Sequence, residues 1–146
     1  MASTTVTSPA ERTARAILGA FNASDVPALA THYAARTEYV NPFAPGPMTT
    51  PDEVLAFESG MFSAFDDVAV ELEWLLADGD QAAYGFVVSA RSTAPMPLPD
   101  GRVIDAVGTR VAIHGVDRIV VDADGLIVHH RRYQDDLDFL RQLGAS

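Results

Sequence analysis

The sequence predicts an α+β fold in which helices pack on one face of a curved antiparallel sheet. Two capping-box segments, each followed by apolar residues at helical spacing, occupy the N-terminal part of the chain. From Val68 onwards the apolar residues alternate with others, which is the period of a strand with one buried face. The chain has 146 residues, a length that favours one domain around one hydrophobic core.

Three helices are predicted in the N-terminal part. Ser8–Glu11 combines a capping hydroxyl, a proline at the first helical position and a glutamate three residues after the cap, so the first helix begins there. Val26–Tyr33 is predicted as a short second helix after a break at Asn22–Asp25. Thr50–Glu53 repeats the capping box and begins a third helix, which we expect to end near the Asp66–Asp67 pair.

Strands separated by turns follow in the C-terminal part, and a short helix closes the chain. On the first strand we expect a buried face formed by Val68, Val70, Leu72, Trp74 and Leu76. A second strand is predicted at Ala82–Ala90, followed by a proline-rich loop at Ser92–Gly101 and a long strand-like segment at Arg102–Val121. A hairpin turn then follows at Asp122–Gly125, a last strand at Leu126–Gln134 and a closing helix at Asp135–Leu143. The long segment exceeds an average strand, so we expect a bend near Gly108 or Gly115.

The composition excludes several classes of function. Ten basic residues against 20 acidic ones give a net charge of -10, which disfavours nucleic acid as a partner. The chain has no cysteine and no lysine, so thiolate catalysis, disulfides, cysteine-ligated metals and lysine Schiff bases are excluded. The four histidines lack metal-ligand spacing, and Asp122–Gly125 imitates a calcium loop without its glutamate, so a hairpin turn explains it. We expect neither a metal nor a nucleotide cofactor.

The sequence also carries expectations about location and boundaries. No stretch approaches the ~20 apolar residues that a membrane span needs, so we expect no membrane interaction. Residues 1–9 lack the basic and apolar regions of a signal peptide, which makes the cytoplasm the expected location. We expect residues 1–8 to form a disordered tail and residues 9–144 to form the single domain.

Asp117 is the lone carboxylate on the apolar, odd-numbered face of the strand that ends at Val121. Burial on such a face raises the pKa of a carboxyl group, which would keep Asp117 able to donate a proton near neutral pH. The alternative is a slip in register at Gly115, after which Asp117 would face water or pair with Arg110 or Arg118.

The last strand carries polar residues on both faces. Alternation turns one of two sets inward, either His130, Arg132 and Gln134 or His129, Arg131 and Tyr133. In both registers a histidine and an arginine share the inner face, which would supply a base near neutral pH and a group that stabilises an anion. An exposed or subunit-facing polar strand explains the same residues without catalysis.

Asp135, at the end of that strand, has two interpretations. It is a candidate catalytic carboxylate, and it also stands where the closing helix needs an N-cap, with Asp138 three residues later. Large apolar and aromatic residues on the predicted elements are core or, in a cone-shaped sheet, pocket wall. They include Phe57, Met61, Phe62, Trp74, Tyr84 and Phe86.

Several local patterns follow one another in a characteristic order: Ala20–Asp25 between the first two helices, Asp124–Ile127 in the last turn, Tyr133–Asp135 and Leu140–Gly144. Across nearly the whole chain, this order resembles the nuclear transport factor 2-like superfamily, and within it the SnoaL-like polyketide cyclases and ketosteroid isomerases. The resemblance implies a conical barrel in which the curved sheet wraps around three N-terminal helices, with a short C-terminal helix. It also implies a dimer and a deep apolar pocket that performs acid–base chemistry without a cofactor.

Residue by residue, the resemblance is mixed. Asp117 lies eight residues before Gly125, where ketosteroid isomerases keep the protonated aspartate of their oxyanion hole. Asn41 falls where these isomerases have their general-base aspartate, which disfavours steroid isomerisation. The pattern Tyr133–Asp135 is similar to the terminal strand of SnoaL-like cyclases and limonene epoxide hydrolases. Thr93 replaces the aspartate of the hydrolases' Arg-x-Asp motif, which disfavours epoxide opening.

Together these residues and the resemblance predict a cofactor-free cyclase or isomerase that acts on a hydrophobic polyketide-type intermediate. The candidate catalytic residues are Asp117, His130 and Asp135. The candidate substrate contacts are Asn41, Trp74, Tyr84, Phe86 and Arg132. The alternatives are an isomerase or dehydratase similar to ketosteroid isomerase, and a non-catalytic protein that binds a small molecule.

A homodimer is predicted from the outer face of the sheet. Val116, Val120 and Tyr133 would leave an apolar patch in water there unless a second copy covered it.

Overall fold

Four helices and seven strands make up residues 7–145, the part of the chain that the computed structural model describes. The helices are α1 (Pro9–Asn22), α2 (Val26–Ala30), α3 (Pro51–Phe62) and α4 (Asp136–Gln142). The strands are β1 (Tyr39–Val40), β2 (Phe65–Asp78), β3 (Gln81–Ser92), β4 (Met96–Pro97), β5 (Val103–Ile104), β6 (Arg110–Val121) and β7 (Ile127–Gln134). Among these residues, no helix is both long and apolar enough to cross a membrane.

Both predicted capping boxes begin helices. The Ser8 hydroxyl accepts a hydrogen bond from the backbone N–H of Glu11 (3.1 Å), and the Thr50 hydroxyl accepts one from Glu53 (3.2 Å). The expected disordered tail falls mostly on residues 1–6, which lie outside the described residues, whereas Ser8 is ordered as the cap of α1. The third helix is shorter than predicted because Phe65 already pairs with β3 as the first residue of β2.

Five strands form one sheet in the order β1-β7-β6-β3-β2. All neighbours in it are antiparallel except β1 and β7, which run parallel, and β4 and β5 form a separate two-stranded sheet. This confirms the α+β fold of helices on a curved, mostly antiparallel sheet. The sheet ends at β1 on one side and at β2 on the other, and these two strands do not pair, so it does not close into the conical barrel that the resemblance implied.

The alternation predicted for the long strand-like segment is confirmed along β6. Its odd-numbered residues face the core, and Asp117 is only 1% exposed among them. The residues Arg110, His114 and Arg118 are exposed. The predicted bend is at Gly108, whose φ of 74° is a conformation that favours glycine.

A β-bulge at Glu73 reverses the two faces of β2. Leu72 and Trp74 pair with consecutive residues of β3, which leaves Glu73 without a partner there. Leu72 packs against the core as predicted, but beyond the bulge Leu75 takes the inner face. The prediction that Trp74 and Leu76 are buried is therefore wrong, since they are 43% and 71% exposed.

Candidate active site

Asp117 and Arg132 form a buried ion pair across β6 and β7, where the register places them directly opposite each other. The guanidinium donates from Nε to Oδ1 and from Nη2 to Oδ2 of the carboxylate, and both distances are 2.9 Å. This two-point geometry fixes the orientation of the arginine as well as its position. The arginine also lies over the ring of Phe86, with its central carbon 4.6 Å from the ring centre.

His130 completes a buried polar cluster around this pair. Its Nε2 lies 3.1 Å from Oδ2 of Asp117, although the ring N–H lacks the alignment of a hydrogen bond. Its Nδ1 is 2.8 Å from the hydroxyl of Tyr33, and the ring of Tyr39 stacks on the imidazole at 4.1 Å. The histidine is therefore held by a hydrogen bond at Nδ1 and by stacking on one face, with Nε2 next to the carboxylate, and only 2% of it is exposed.

The structure corrects the expected charge of Asp117. Burial raises the pKa of its carboxyl group, but the positive charge of Arg132 and the neighbouring His130 outweigh that effect and hold the pKa well below its usual range. Asp117 is therefore ionised at neutral pH and is not a proton donor. The partner is Arg132 on the next strand rather than Arg110 or Arg118.

Two adjoining cavities lie on the inner side of the sheet. We call the first the aromatic cavity, because its wall includes Phe21, Phe43, Phe57, Phe62, Phe65 and Phe139. It holds about 600 Å³ of empty space, counted with its open mouth, and its polar wall residues are Asn41, Glu58, Arg132 and Gln134. A mostly apolar cavity wall with a few polar groups is typical of a small-molecule site.

We call the second the polar cavity, since its wall carries Tyr33, Tyr39, Glu58, Tyr84, Asp117, His130 and Arg132. It holds about 340 Å³ of empty space on the same measure. The wall residues common to both cavities are Phe21, Glu58, Val88 and Arg132. Glu58 and Arg132 are thus the two charged side chains at the junction of the cavities.

Glu58 was not predicted from the sequence. It lies on α3, is only 5% exposed, and accepts a hydrogen bond from the hydroxyl of Tyr39 (3.3 Å). Burial raises the pKa of its carboxyl group, while Arg132 and the bond from Tyr39 partly oppose the increase. The sequence did contain a signal that Glu58 faces inward. Glu58 follows Val54 by four residues and so lies on the same face of the helix, and Val54 is fully buried.

The structure brings several predicted substrate contacts to these cavities. Asn41 is buried in the wall of the aromatic cavity, and its amide N–H donates to the hydroxyl of Tyr39 (2.9 Å). The hydroxyl of Tyr84 lies in the wall of the polar cavity, fully buried and without a hydrogen-bond partner among the described residues. Phe86 is buried core beneath Arg132 and lines neither cavity.

Two further predicted site residues also lie outside the cavities. Asp135 is exposed, lines neither cavity, and accepts a hydrogen bond from the backbone N–H of Asp138 (3.1 Å) as the N-cap of α4. The helix needs that carboxylate, so the capping interpretation is the one that the structure supports. Trp74 is on the outer face beyond the bulge, where its indole lies against the backbone of Gly85.

The last strand turns His130, Arg132 and Gln134 inward, which settles its register. Arg132 has five N–H donors, and its two bonds to Asp117 leave three without a partner among the described residues. A fixed cation with free donors at the wall of an apolar cavity can stabilise a negatively charged oxygen of a bound molecule. Within residues 7–145, no group of three or more His, Asp or Glu side chains is placed to hold a metal ion.

Solved structures with the same fold span nearly the whole chain. TsrD from Streptomyces laurentii is 25% identical, with 94% of this chain and 96% of that one covered and a TM-score of 0.78. IdmH from Streptomyces antibioticus, provisionally assigned as a polyketide cyclase, is 19% identical over 93% and 99% of the two chains, with a TM-score of 0.75. An LEH-like epoxide hydrolase from M. tuberculosis is 18% identical over 92% and 89%, with a TM-score of 0.69.

A search of curated proteins finds no match. The family model of the SnoaL-like domain matches residues 14–130, which include most of α1, all of α2 and α3, and the inner-face residues Asp117 and His130. That match spans well over half of the chain and agrees with the fold of the solved structures. The protein therefore belongs to the SnoaL-like domain family, as its sequence resemblance implied.

Proposed function

We propose that this protein is a cofactor-free enzyme that moves a proton next to a carbonyl group of a hydrophobic polyketide-type intermediate, and so closes a ring or isomerises the molecule. The observation that carries this proposal is the guanidinium of Arg132, which is fixed by Asp117 and lies in the walls of both cavities. Removal of a proton beside a carbonyl leaves negative charge on the oxygen, and a fixed cation stabilises that charge.

Asp117 and His130 act as positioning residues in this mechanism. The carboxylate of Asp117 holds the arginine at two points, and Nε2 of His130 lies 3.1 Å from Oδ2 of the same carboxylate while Nδ1 is bonded to Tyr33. Because the arginine is oriented before substrate arrives, little reorganisation is needed when charge develops in the transition state. Tyr84, which lies opposite Asp117 on the neighbouring strand, forms part of the polar wall against which the substrate packs.

The substrate class is supported by the aromatic cavity and by the family. Six phenylalanines in its wall favour a flat, conjugated molecule, which stacks on rings at little loss of conformational freedom. Membership of the SnoaL-like family and the fold shared with IdmH, provisionally assigned as a polyketide cyclase, agree with an intermediate of that chemistry.

We also propose that the protein acts as a homodimer through the outer face of the sheet. Tyr133 is 55% exposed there and lies opposite Val116 on the neighbouring strand, and Trp74 is 43% exposed. Exposed aromatic side chains on the outer face of a sheet are the type of surface that a second copy covers.

The test uses 2-tetralone, a flat bicyclic ketone, as the probe. In deuterated buffer, NMR measures how fast the hydrogens next to the carbonyl are replaced. We expect the wild-type protein to accelerate exchange and the Arg132→Gln variant to lose about 10²–10³-fold of that acceleration. Dialysis of the wild-type protein against EDTA should leave its exchange rate unchanged. Arg118→Gln, which removes an exposed arginine from β6, is the matched control.

A binding protein without catalysis is the second candidate. It is favoured by two observations: Asp117 is occupied by its ion pair, and Asn41 cannot act as a base. In that case 2-tetralone would bind, as seen in line broadening of its NMR signals, while exchange continued at the rate of buffer alone.

A further inference from the structure

We propose that the carboxylate of Glu58 on α3 is the catalytic base of this pocket. The inference rests on the proposed function and adds to it the residue that receives the proton. Glu58 and Arg132 are the charged groups shared by the walls of both cavities, so a molecule that spans the junction contacts a cation and a carboxylate together.

The contacts of Glu58 leave one of its oxygens available. Oε1 accepts a hydrogen bond from the hydroxyl of Tyr39, and Oε2 has no partner among the described residues although the side chain is nearly buried. Glu58 forms no ion pair within that part of the chain, in contrast to Asp117. The free oxygen therefore belongs to a side chain in the cavity wall that no other residue neutralises.

The burial of an unpaired carboxylate at Glu58 lowers the stability of the folded protein. A buried carboxylate without an ion-pair partner loses its hydration and gains little in return, so proteins rarely keep one without a use for it. The charged and titratable groups that act on Glu58 are Arg132, Asp117 and Tyr39. Burial outweighs the attraction of Arg132 and raises the pKa of Glu58, which makes its carboxylate a stronger base than one in water.

A chain of hydrogen bonds orients the side chain. The amide of Asn41 donates to the hydroxyl oxygen of Tyr39, and this hydroxyl donates its own proton to Oε1 of Glu58. The amide oxygen of Asn41 accepts from the backbone N–H of Phe43, which fixes the direction of the amide. Asn41 and Tyr39 are therefore positioning residues for Glu58.

The proposed step is balanced in protons and electrons. The carboxylate of Glu58 takes a proton from the carbon next to the carbonyl, so a C–H bond breaks and an O–H bond forms. The electron pair passes to the carbonyl oxygen, and Arg132 stabilises the resulting enolate. Glu58 then returns the proton, either to another carbon in an isomerisation or to the alkoxide formed when the enolate carbon attacks a second carbonyl group.

The probe for this base is 5-nitrobenzisoxazole, a flat aromatic molecule that a base opens in one step. The base removes the ring C–H proton while the N–O bond breaks, and the coloured phenolate product is followed by its absorbance. We expect Glu58→Gln to lose at least about 10²-fold of the wild-type rate, which is the usual loss for a general base. Glu71→Gln, an exposed glutamate on β2, should leave the rate unchanged.

The glutamine variant should fold, because its amide oxygen still accepts the hydrogen bond from Tyr39 and no buried charge is introduced. A second measurement does not depend on turnover. Infrared difference spectra over a pH titration should show a carboxylic acid band that titrates above the normal range of a glutamate and is missing in Glu58→Gln.

The outcomes separate the two proposals. A Glu58→Gln protein that opens the probe and exchanges 2-tetralone as fast as wild type overturns the role of Glu58 and leaves the proposed function standing. Wild-type protein that acts on neither probe overturns both. Loss of the reaction with Glu58→Gln, together with a carboxylic acid band assigned to Glu58, supports both.

Discussion

Arg132 and Asp117 face each other across β6 and β7 and form two parallel hydrogen bonds, each 2.9 Å long. The pair forms because both side chains point inward at the same step of the antiparallel ladder. A shift of one residue in either strand would turn one of them outward. The register of these two strands therefore determines whether the site exists.

Asp117→Asn should destabilise the fold strongly. It leaves the guanidinium of Arg132 buried without a counter-charge, and breaking one side of a buried ion pair costs about 3–5 kcal/mol. Urea unfolding monitored by circular dichroism measures the change. The double variant Asp117→Leu/Arg132→Met removes both charges and should recover most of the lost stability, while it should not catalyse proton exchange.

The acid side of the stability profile tests the same pair. The pKa of Asp117 is lowered in the folded state, so its contribution is present above about pH 4, the ordinary aspartate value, and declines as the pH falls below it. If the free energy of unfolding of the double variant fell below pH 4 as steeply as that of wild type, the conclusion that Asp117 is ionised would be wrong.

Glu58→Gln should become more stable than wild type as the pH rises. The pKa of Glu58 is raised by burial in the folded state, so the stability contributed by its protonated form is lost as the pH rises from about 4.3, the ordinary glutamate value, through the folded pKa. The free energies of unfolding of the two proteins should be similar near pH 4, and that of Glu58→Gln should be the higher one at pH 7. A glutamine variant that is less stable at pH 7 would contradict this expectation.

The parts of the fold that the sequence predicts are those with local causes. Ser8 and Thr50 begin helices because the capping oxygen and its partner N–H are three residues apart. The alternation of β6 holds because no irregularity interrupts it against β3. In β2 the same reasoning fails at Trp74, since the bulge at Glu73 depends on pairing with another strand.

The site was only partly predictable because its electrostatics depend on contacts between distant residues. Asp117 was correctly placed on the buried face, but its charge is set by Arg132, which the turn at Asp122–Gly125 brings opposite it. Glu58 shares a helix face with Val54, yet its role depends on which side of α3 faces the cavities. Those relations require the packed structure.

Gly115→Ala should distort the candidate site, because Gly115 lies next to Phe86, the ring that Arg132 covers. A β-carbon there would lie 2.6 Å from the ring of Phe86 and 2.9 Å from the backbone oxygen of Tyr133, so the strand cannot accept it without movement. Overpacking of this kind costs about 1–3 kcal/mol. Thermal unfolding should show the loss, and Gly60→Ala, where nothing lies within 4 Å of the new carbon, should be neutral or stabilising.

Tyr133→Glu should convert the proposed dimer into a monomer. It places a negative charge on the outer face of the sheet, where Val116 is the cross-strand neighbour of Tyr133. Sedimentation velocity at micromolar concentration measures the change in mass. Leu137→Glu, which alters an exposed leucine on α4, should leave the dimer intact, and a monomeric wild-type protein would contradict the proposed interface.

The most direct measurement concerns 2-naphthol, a flat phenol whose ionised form mimics the enolate of 2-tetralone. Its absorbance reports whether the bound molecule is neutral or ionised. The fixed positive charge of Arg132 should lower the pKa of bound 2-naphthol by about one to three pH units relative to water, and the double variant Asp117→Leu/Arg132→Met should bind it without that change. If the pKa of 2-naphthol bound to wild-type protein is unchanged or raised, the cavity does not stabilise an oxyanion, and the proposed chemistry is wrong.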